Sequence, residues 1–149
     1  MRGTLTEALH DGPVICGEGY LFELERRGYL QAGSFVPEVS LEYPEALAMV
    51  HRDFVRAGSD VIEAFTYNAH REKMRIIGKE EMLEPLNRAA LRIAKEVQAE
   101  FGGKPFVAGN ISNTNIYDPQ EPTTEEVVRV MFREMLEWSA DAGVDFIIG

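Results

Sequence analysis

Ala57-Gly58-Ser59-Asp60-Val61-Ile62 and Ala142-Gly143-Val144-Asp145-Phe146-Ile147 are two versions of one phrase. Each closes a helical stretch with a glycine, places an aspartate two residues later and enters an apolar run. Glycine adopts the left-handed conformation that ends a helix, and a short apolar run bounded by turn residues fits a buried strand. The copies stand at equivalent points of a β/α alternation, as a parallel sheet with crossover helices requires. The fold class is read as α/β.

The pattern continues outward from both copies. Leu47, Val50, Phe54 and Ala57 fall on one face of a helix predicted over residues 44–57, which Gly58 ends. Leu86, Ala90, Ile93 and Val97 mark a second long helix, stopped by Gly102-Gly103. A further helix is expected from Thr123-Thr124-Glu125-Glu126, where Thr123 and Glu126 have the spacing of a capping box. Its expected buried stripe is Val127, Met131, Met135, Trp138 and Ala142. Residues 21–27 read as a brief helix closed by Gly28, and residues 29–40, with Gly33 and Pro37, as a long functional loop. Four strands are expected, at 13–16, 61–65, 105–108 and 144–148. A sequence stopping at Ile147-Ile148-Gly149, inside an apolar run, suggests the first half of a (β/α)8 barrel truncated within or just after its fourth strand, since about 250 residues is typical of that fold. A small doubly wound domain is the structural rival.

Composition narrows the function classes. With 149 residues, 45% of them hydrophobic and 27% charged, the chain fits a single globular domain and neither a disordered nor a membrane-spanning one. Fifteen Lys and Arg against twenty-five Asp and Glu give a net charge of −10. That charge repels phosphate backbones and anionic lipid, so neither nucleic acid nor a membrane is an expected partner. The only cysteine, Cys16, allows no internal disulfide and no cysteine-built zinc site within this chain. With no apolar signal core at the N-terminus, a cytoplasmic location is expected.

Ligands of parallel β/α folds bind at the carboxyl ends of the strands, and three polar clusters fall there. Gly17-Glu18-Gly19-Tyr20 sets a carboxylate between glycines, suited to a substrate ammonium group. Phe65-Thr66-Tyr67-Asn68-Ala69-His70 gathers hydroxyls, an amide and an aromatic ring. Gly109-Asn110-Ile111-Ser112-Asn113-Thr114-Asn115 offers hydrogen-bonding groups for a polar ligand. Each cluster also has a plain structural account: a solvated loop, helix capping by Thr66 or Asn68, and ordinary turn formation. His51 and His70 read as surface residues, His10 lies ahead of the first strand, and Cys16 reads as a small buried hydrophobe. Glu80-Glu81 and Glu125-Glu126 sit near helix starts, where they favour the dipole.

The colinear segments Gly17-Glu18-Gly19-Tyr20-Leu21-Phe22-Glu23-Leu24-Glu25-Arg26-Arg27-Gly28-Tyr29, Pro44-Glu45-Ala46, His51-Arg52-Asp53-Phe54-Val55-Arg56-Ala57-Gly58-Ser59-Asp60, Phe65-Thr66-Tyr67 and Val107-Ala108-Gly109 resemble the homocysteine S-methyltransferase family, and within it the betaine-dependent enzymes. The resemblance implies a (β/α)8 barrel that passes a methyl group from a small donor to the thiol of homocysteine, giving methionine. It also implies a zinc ion that holds the sulfur as thiolate, bound by three cysteines of later strands that these 149 residues do not contain. Residues 1–149 would then be the N-terminal half of a homocysteine-binding barrel, inactive alone and self-associating when complete. The substrate-binding residues it suggests are Gly17, Glu18, Gly19, Thr66, Tyr67, Asn68, Asn110 and Ser112. Two departures stand out. The family's first-strand aspartate falls at Gly17, with the carboxylate moved to Glu18, and an aromatic pair of the betaine enzyme falls at Tyr67-Asn68, where only the first ring remains. Betaine, another onium donor such as S-methylmethionine, or a methylated corrinoid or folate all fit this reading, as does another thiol or selenol acceptor. The rival class is a non-catalytic half-barrel that binds or assembles without zinc.

Overall fold

The computed structural model describes residues 3–31 and 38–149. In chain order the elements are α1 (Leu5–Asp11), α2 (Tyr20–Arg26), α3 (Val39–Glu42), α4 (Pro44–Ala57), β1 (Val61–Glu63), α5 (Arg71–Ile76), α6 (Leu83–Glu100), β2 (Phe106–Asn110), α7 (Pro122–Ala142) and β3 (Phe146–Ile148), with a 3-10 turn at Glu80–Met82 before α6. The strands form one parallel sheet in the order β1-β2-β3. Ile62 pairs with Val107, and Gly109 with Ile147. Alternation along the strands sends Ile62 and Val107 into a core with Leu24, Leu47, Val50, Leu91 and Val97 of the covering helices. Val61, Phe106 and Ala108 form a second cluster on the opposite face, against Leu5 and Ala8 of α1. The sheet is thus α/β and parallel, as read from the sequence, and is covered by apolar side chains on both faces. No helix among the described residues is long and apolar enough to cross a membrane.

Three strands form among the described residues, not four. Residues 13–16 lie along β1 but contribute a single parallel bridge, Cys16 to Val61. Pro13 has no N–H to donate, and the Ile15 N–H goes to the Asp60 carboxylate at 2.9 Å instead of to a strand. The Ile15 carbonyl still accepts from the N–H groups of Asp60 and Val61, and the Gly17 N–H donates to the Val61 carbonyl, so the segment occupies an edge position without a full ladder.

The helix expectations need two further corrections. Helix α7 begins at Pro122, whose fixed φ suits a first turn, and Glu121 at its N-cap makes no side-chain cap bond. The capping box lies instead at Thr4 and Glu7, opening α1, a helix the sequence reading lacked. On α7, Met131 and Met135 are buried, but Val127 is 47% exposed and leaves the expected stripe. Residues 32–37 of the expected long loop lie outside the described residues, and its end is α3.

Candidate active site

Because the strands run parallel and in register, Glu63, Asn110 and Ile148 end them on one side of the sheet. A cleft of about 420 Å³ opens there, walled by the Glu18–Phe22 segment, by Glu63 to Phe65 with Tyr67 and Asn68, and by Asn110 and Ile111. Of the expected site residues, Glu18, Gly19, Tyr67, Asn68 and Asn110 line it. Gly19 takes φ +81°, a conformation that favours glycine, and forms the N-cap of α2.

The other expected residues build the frame behind the wall. Gly17 is buried, and a Cβ there would stand 2.8 Å from Phe54 Cδ2. Its glycine therefore serves a close approach to α4. Thr66 donates its hydroxyl to the Asn110 carbonyl and accepts from the Asn110 N–H at 3.3 Å, stapling the segment after β1 to the end of β2. Ser112 donates to the Tyr67 carbonyl at 2.7 Å and accepts from Lys73 Nζ at 2.7 Å. That ammonium also lies 4.1 Å from the centre of the Tyr67 ring, and burial pushes the Lys73 pKa down.

Glu63 escapes the sequence reading, Tyr20 stands in it only as the end of a cluster, and both buried histidines are placed by it on the surface. Glu63 is 7% exposed, and Asn110 Nδ2 donates to its Oε2 at 2.6 Å. Burial raises its pKa, the Asn110 bond opposes that rise, and the Glu18 charge adds to it. The signal was a carboxylate inside the apolar run Val61-Ile62-Glu63-Ala64-Phe65, where a buried charge is costly. Tyr20 is also buried. Its phenolic oxygen accepts from the Glu63 backbone N–H at 3.0 Å and lies 3.1 Å from His51 Nδ1. The phenol and the imidazole thus share one hydrogen bond, while His51 Nε2 is buried with no hydrogen-bond partner among the described residues. His51 is fully buried rather than on the surface, and burial holds its pKa down to about 3. His70 is likewise fully buried: its Nδ1 accepts from the Glu72 N–H at 3.2 Å as the N-cap of α5. Both rings pack inward because α2 and α7 present Tyr20 and Phe132 to them, contacts that local sequence does not encode.

Among the described residues no group of three or more His, Cys, Asp or Glu side chains is placed to hold a metal ion. Cys16 packs with Val61 and Phe106, on the face of the sheet that also carries Glu63, and it is the only thiol there. The residues present therefore do not fit a zinc centre.

In α/β proteins with a parallel sheet, a cleft at the carboxyl ends of the strands is the usual place for a small ligand. The model of the homocysteine S-methyltransferase family matches residues 14–149, and the chain belongs to that family. It is 38% identical over 149 residues to betaine–homocysteine S-methyltransferase 1 of Sus scrofa, covering 97% of this chain and 52% of that protein. It is 40% identical over 148 residues to S-methylmethionine–homocysteine S-methyltransferase BHMT2 of Pongo abelii, covering 99% of this chain and 38% of the relative. The chain thus spans about half or less of the length of these relatives. The fold matches the metallated form of the homocysteine methyltransferase MmuM from Escherichia coli with a TM-score of 0.78 at 24% identity, covering 96% of this chain and 55% of that one.

Proposed function

We propose that residues 1–149 form the N-terminal half of a (β/α)8 barrel that transfers a methyl group from a small donor to the thiol of homocysteine, giving methionine. The observation that carries the reading is the coincidence of family membership across residues 14–149 with a carboxylate-bearing cleft at the strand ends. In this half Glu18 binds the substrate ammonium at the mouth of the cleft. Tyr67 and Asn68 shape the donor side, Asn110 lines the wall, and Gly17, Gly19, Thr66 and Ser112 hold the frame in place. The zinc that would supply a thiolate at neutral pH must take its ligands from beyond these residues. Cytoplasmic residence and self-association of the complete barrel belong to the same reading.

Two relatives named for different donors, betaine and S-methylmethionine, leave both to be tried. The test is methionine formation by the purified full-length protein from L-homocysteine with each donor in turn, read by mass spectrometry alongside zinc content. Methionine with one donor supports the proposal; none with betaine, S-methylmethionine, a methylated corrinoid or a methylated folate overturns it. In the active protein, Glu18→Ala should raise KM for homocysteine about tenfold, the loss of one charge-assisted hydrogen bond.

A second reading, a non-catalytic half-barrel that associates through its apolar surface, is favoured by the exposure of Val127 and Val130, one turn apart on α7. A zinc-free, inactive oligomer is the outcome that selects it.

A further inference from the structure

Two carboxylates, Glu18 and Glu63, face the cleft, and no Lys, Arg or His is among the described residues that line it. Glu63 is the deeper of the two. Its Oε2 is held by the Asn110 amide, and its Oε1 has no hydrogen-bond or ion-pair partner among the described residues. The titratable groups that face it are Glu18, the Tyr20 phenol and the Cys16 thiol, none of them a cation. A buried carboxylate with one amide donor and no counter-charge destabilises the fold in its ionised form. A purely structural role does not explain it, because a glutamine would accept the same bond from Asn110 without that cost. Its backbone is nonetheless fixed by the buried Tyr20 hydroxyl, and the rings of Phe65 and Tyr67 stand on the same wall. A pre-positioned anion among aromatic faces is the environment that attracts a desolvated organic cation.

We infer that Glu63 receives the cationic head of the small molecule bound in this cleft, either a primary ammonium or a methylated onium centre. The inference rests on the proposed methyltransferase reading and deepens it. Glu63 acts inside the cleft, Glu18 at its mouth, and together they select ligands that carry positive charge where they enter the strand ends.

Calorimetric titration of the full-length protein tests this with two matched pairs. L-homocysteine is set against 4-sulfanylbutanoate, which lacks the ammonium group, and glycine betaine against 3,3-dimethylbutanoate, its neutral-headed isostere. Glu63→Gln should weaken one cationic ligand about tenfold or more while its neutral counterpart changes less than about twofold. A split in the first pair identifies the ammonium as the partner of Glu63, and a split in the second identifies the onium centre. Equal weakening within both pairs, or no change in either, overturns the inference alone. A wild-type protein that binds neither cation overturns the methyltransferase reading with it. Should Glu63→Gln fail to fold, the carboxyl carbon resonance of Glu63 in the wild-type protein gives the answer. The cationic member of a pair should lower its pH midpoint and the neutral member should not, and an unmoved midpoint overturns the assignment.

Discussion

Asp60 and Asp145 make the same two-point contact with the strand segment beside them. Asp60 donates its backbone N–H to the Ile15 carbonyl at 2.8 Å and accepts the Ile15 N–H on its carboxylate at 2.9 Å. Asp145 treats Val107 identically, at 2.8 Å in each direction. The glycines before them, Gly58 and Gly143, both take the left-handed conformation that closes α4 and α7. The repeated phrase of the sequence is therefore a repeated joint, in which the aspartate fixes where each strand starts against its neighbour.

The two joints should differ in strength because their partners differ in burial. Asp145→Ala leaves the fully buried Val107 N–H without its acceptor and takes from Gln98 Nε2 one of two acceptors, the Pro105 carbonyl remaining, at a cost of about 1–3 kcal/mol. Asp60→Ala should cost less than about 1 kcal/mol, since water replaces the carboxylate at the exposed Ile15. Urea midpoints at constant slope measure both, and equal losses would contradict the account.

Gly17→Ala and Gly109→Ala should each destabilise by about 1–3 kcal/mol through overpacking. The new methyl at Gly109 meets Ile147 Cδ1 at 2.8 Å and Ser139 Oγ at 2.9 Å, and at Gly17 it meets Phe54. Because Gly17 faces Phe54 and does not line the cleft, its alanine variant should keep ligand affinity within about twofold wherever it remains folded. Calorimetry below the unfolding transition checks this, and a large affinity loss would place Gly17 in contact with the ligand.

Tyr20→Phe removes the hydroxyl shared by the Glu63 N–H and His51 Nδ1. Two buried groups lose their partner at once, so about 1–3 kcal/mol of stability should go. In a double-mutant cycle with His51→Phe the losses should fall short of additive, because both changes break the same bond. Additive losses would mean that the bond contributes nothing.

Acid should weaken the fold before the ordinary carboxylates titrate. His51 is held down to about 3 from 6.5 by burial, and His70 is lowered for the same reason. The unfolded chain therefore binds more protons than the folded one below pH 6.5. The stability these residues contribute is complete above that pH and is lost as pH falls toward 3, by up to about 1.4 kcal/mol per pH unit for one such group. Glu63, raised from 4.5 by burial, acts with the opposite sign above that value. Urea midpoints at pH 7.5 and 5 should differ in the wild type, and His51→Gln should reduce the difference.

The parallel sheet and its long helices were legible because their signals are local. The stripe Leu86, Ala90, Ile93 and Val97 is fully interior, and α4 runs over the residues that its period marks. Cross-chain facts were not legible. A carboxylate from the next helix joint takes the Ile15 N–H, and this reduces the expected first strand to one bridge. The cleft shows the same division. Glu18, Gly19, Tyr67, Asn68 and Asn110 were found by their position after strands, whereas Tyr20 and Glu63 became visible only once α2 was laid across β1.

The support beneath Tyr67 separates two kinds of freedom. Ser112 and Lys73 grip its backbone carbonyl, while its ring is half exposed and the neighbouring Asn68 is only partly covered. The frame therefore fixes the path of the chain at this point and asks little of the side chain at position 68. Residue 68 can thus change with small effect on folding, so the lining of the cleft at this point can drift without the scaffold having to be remade.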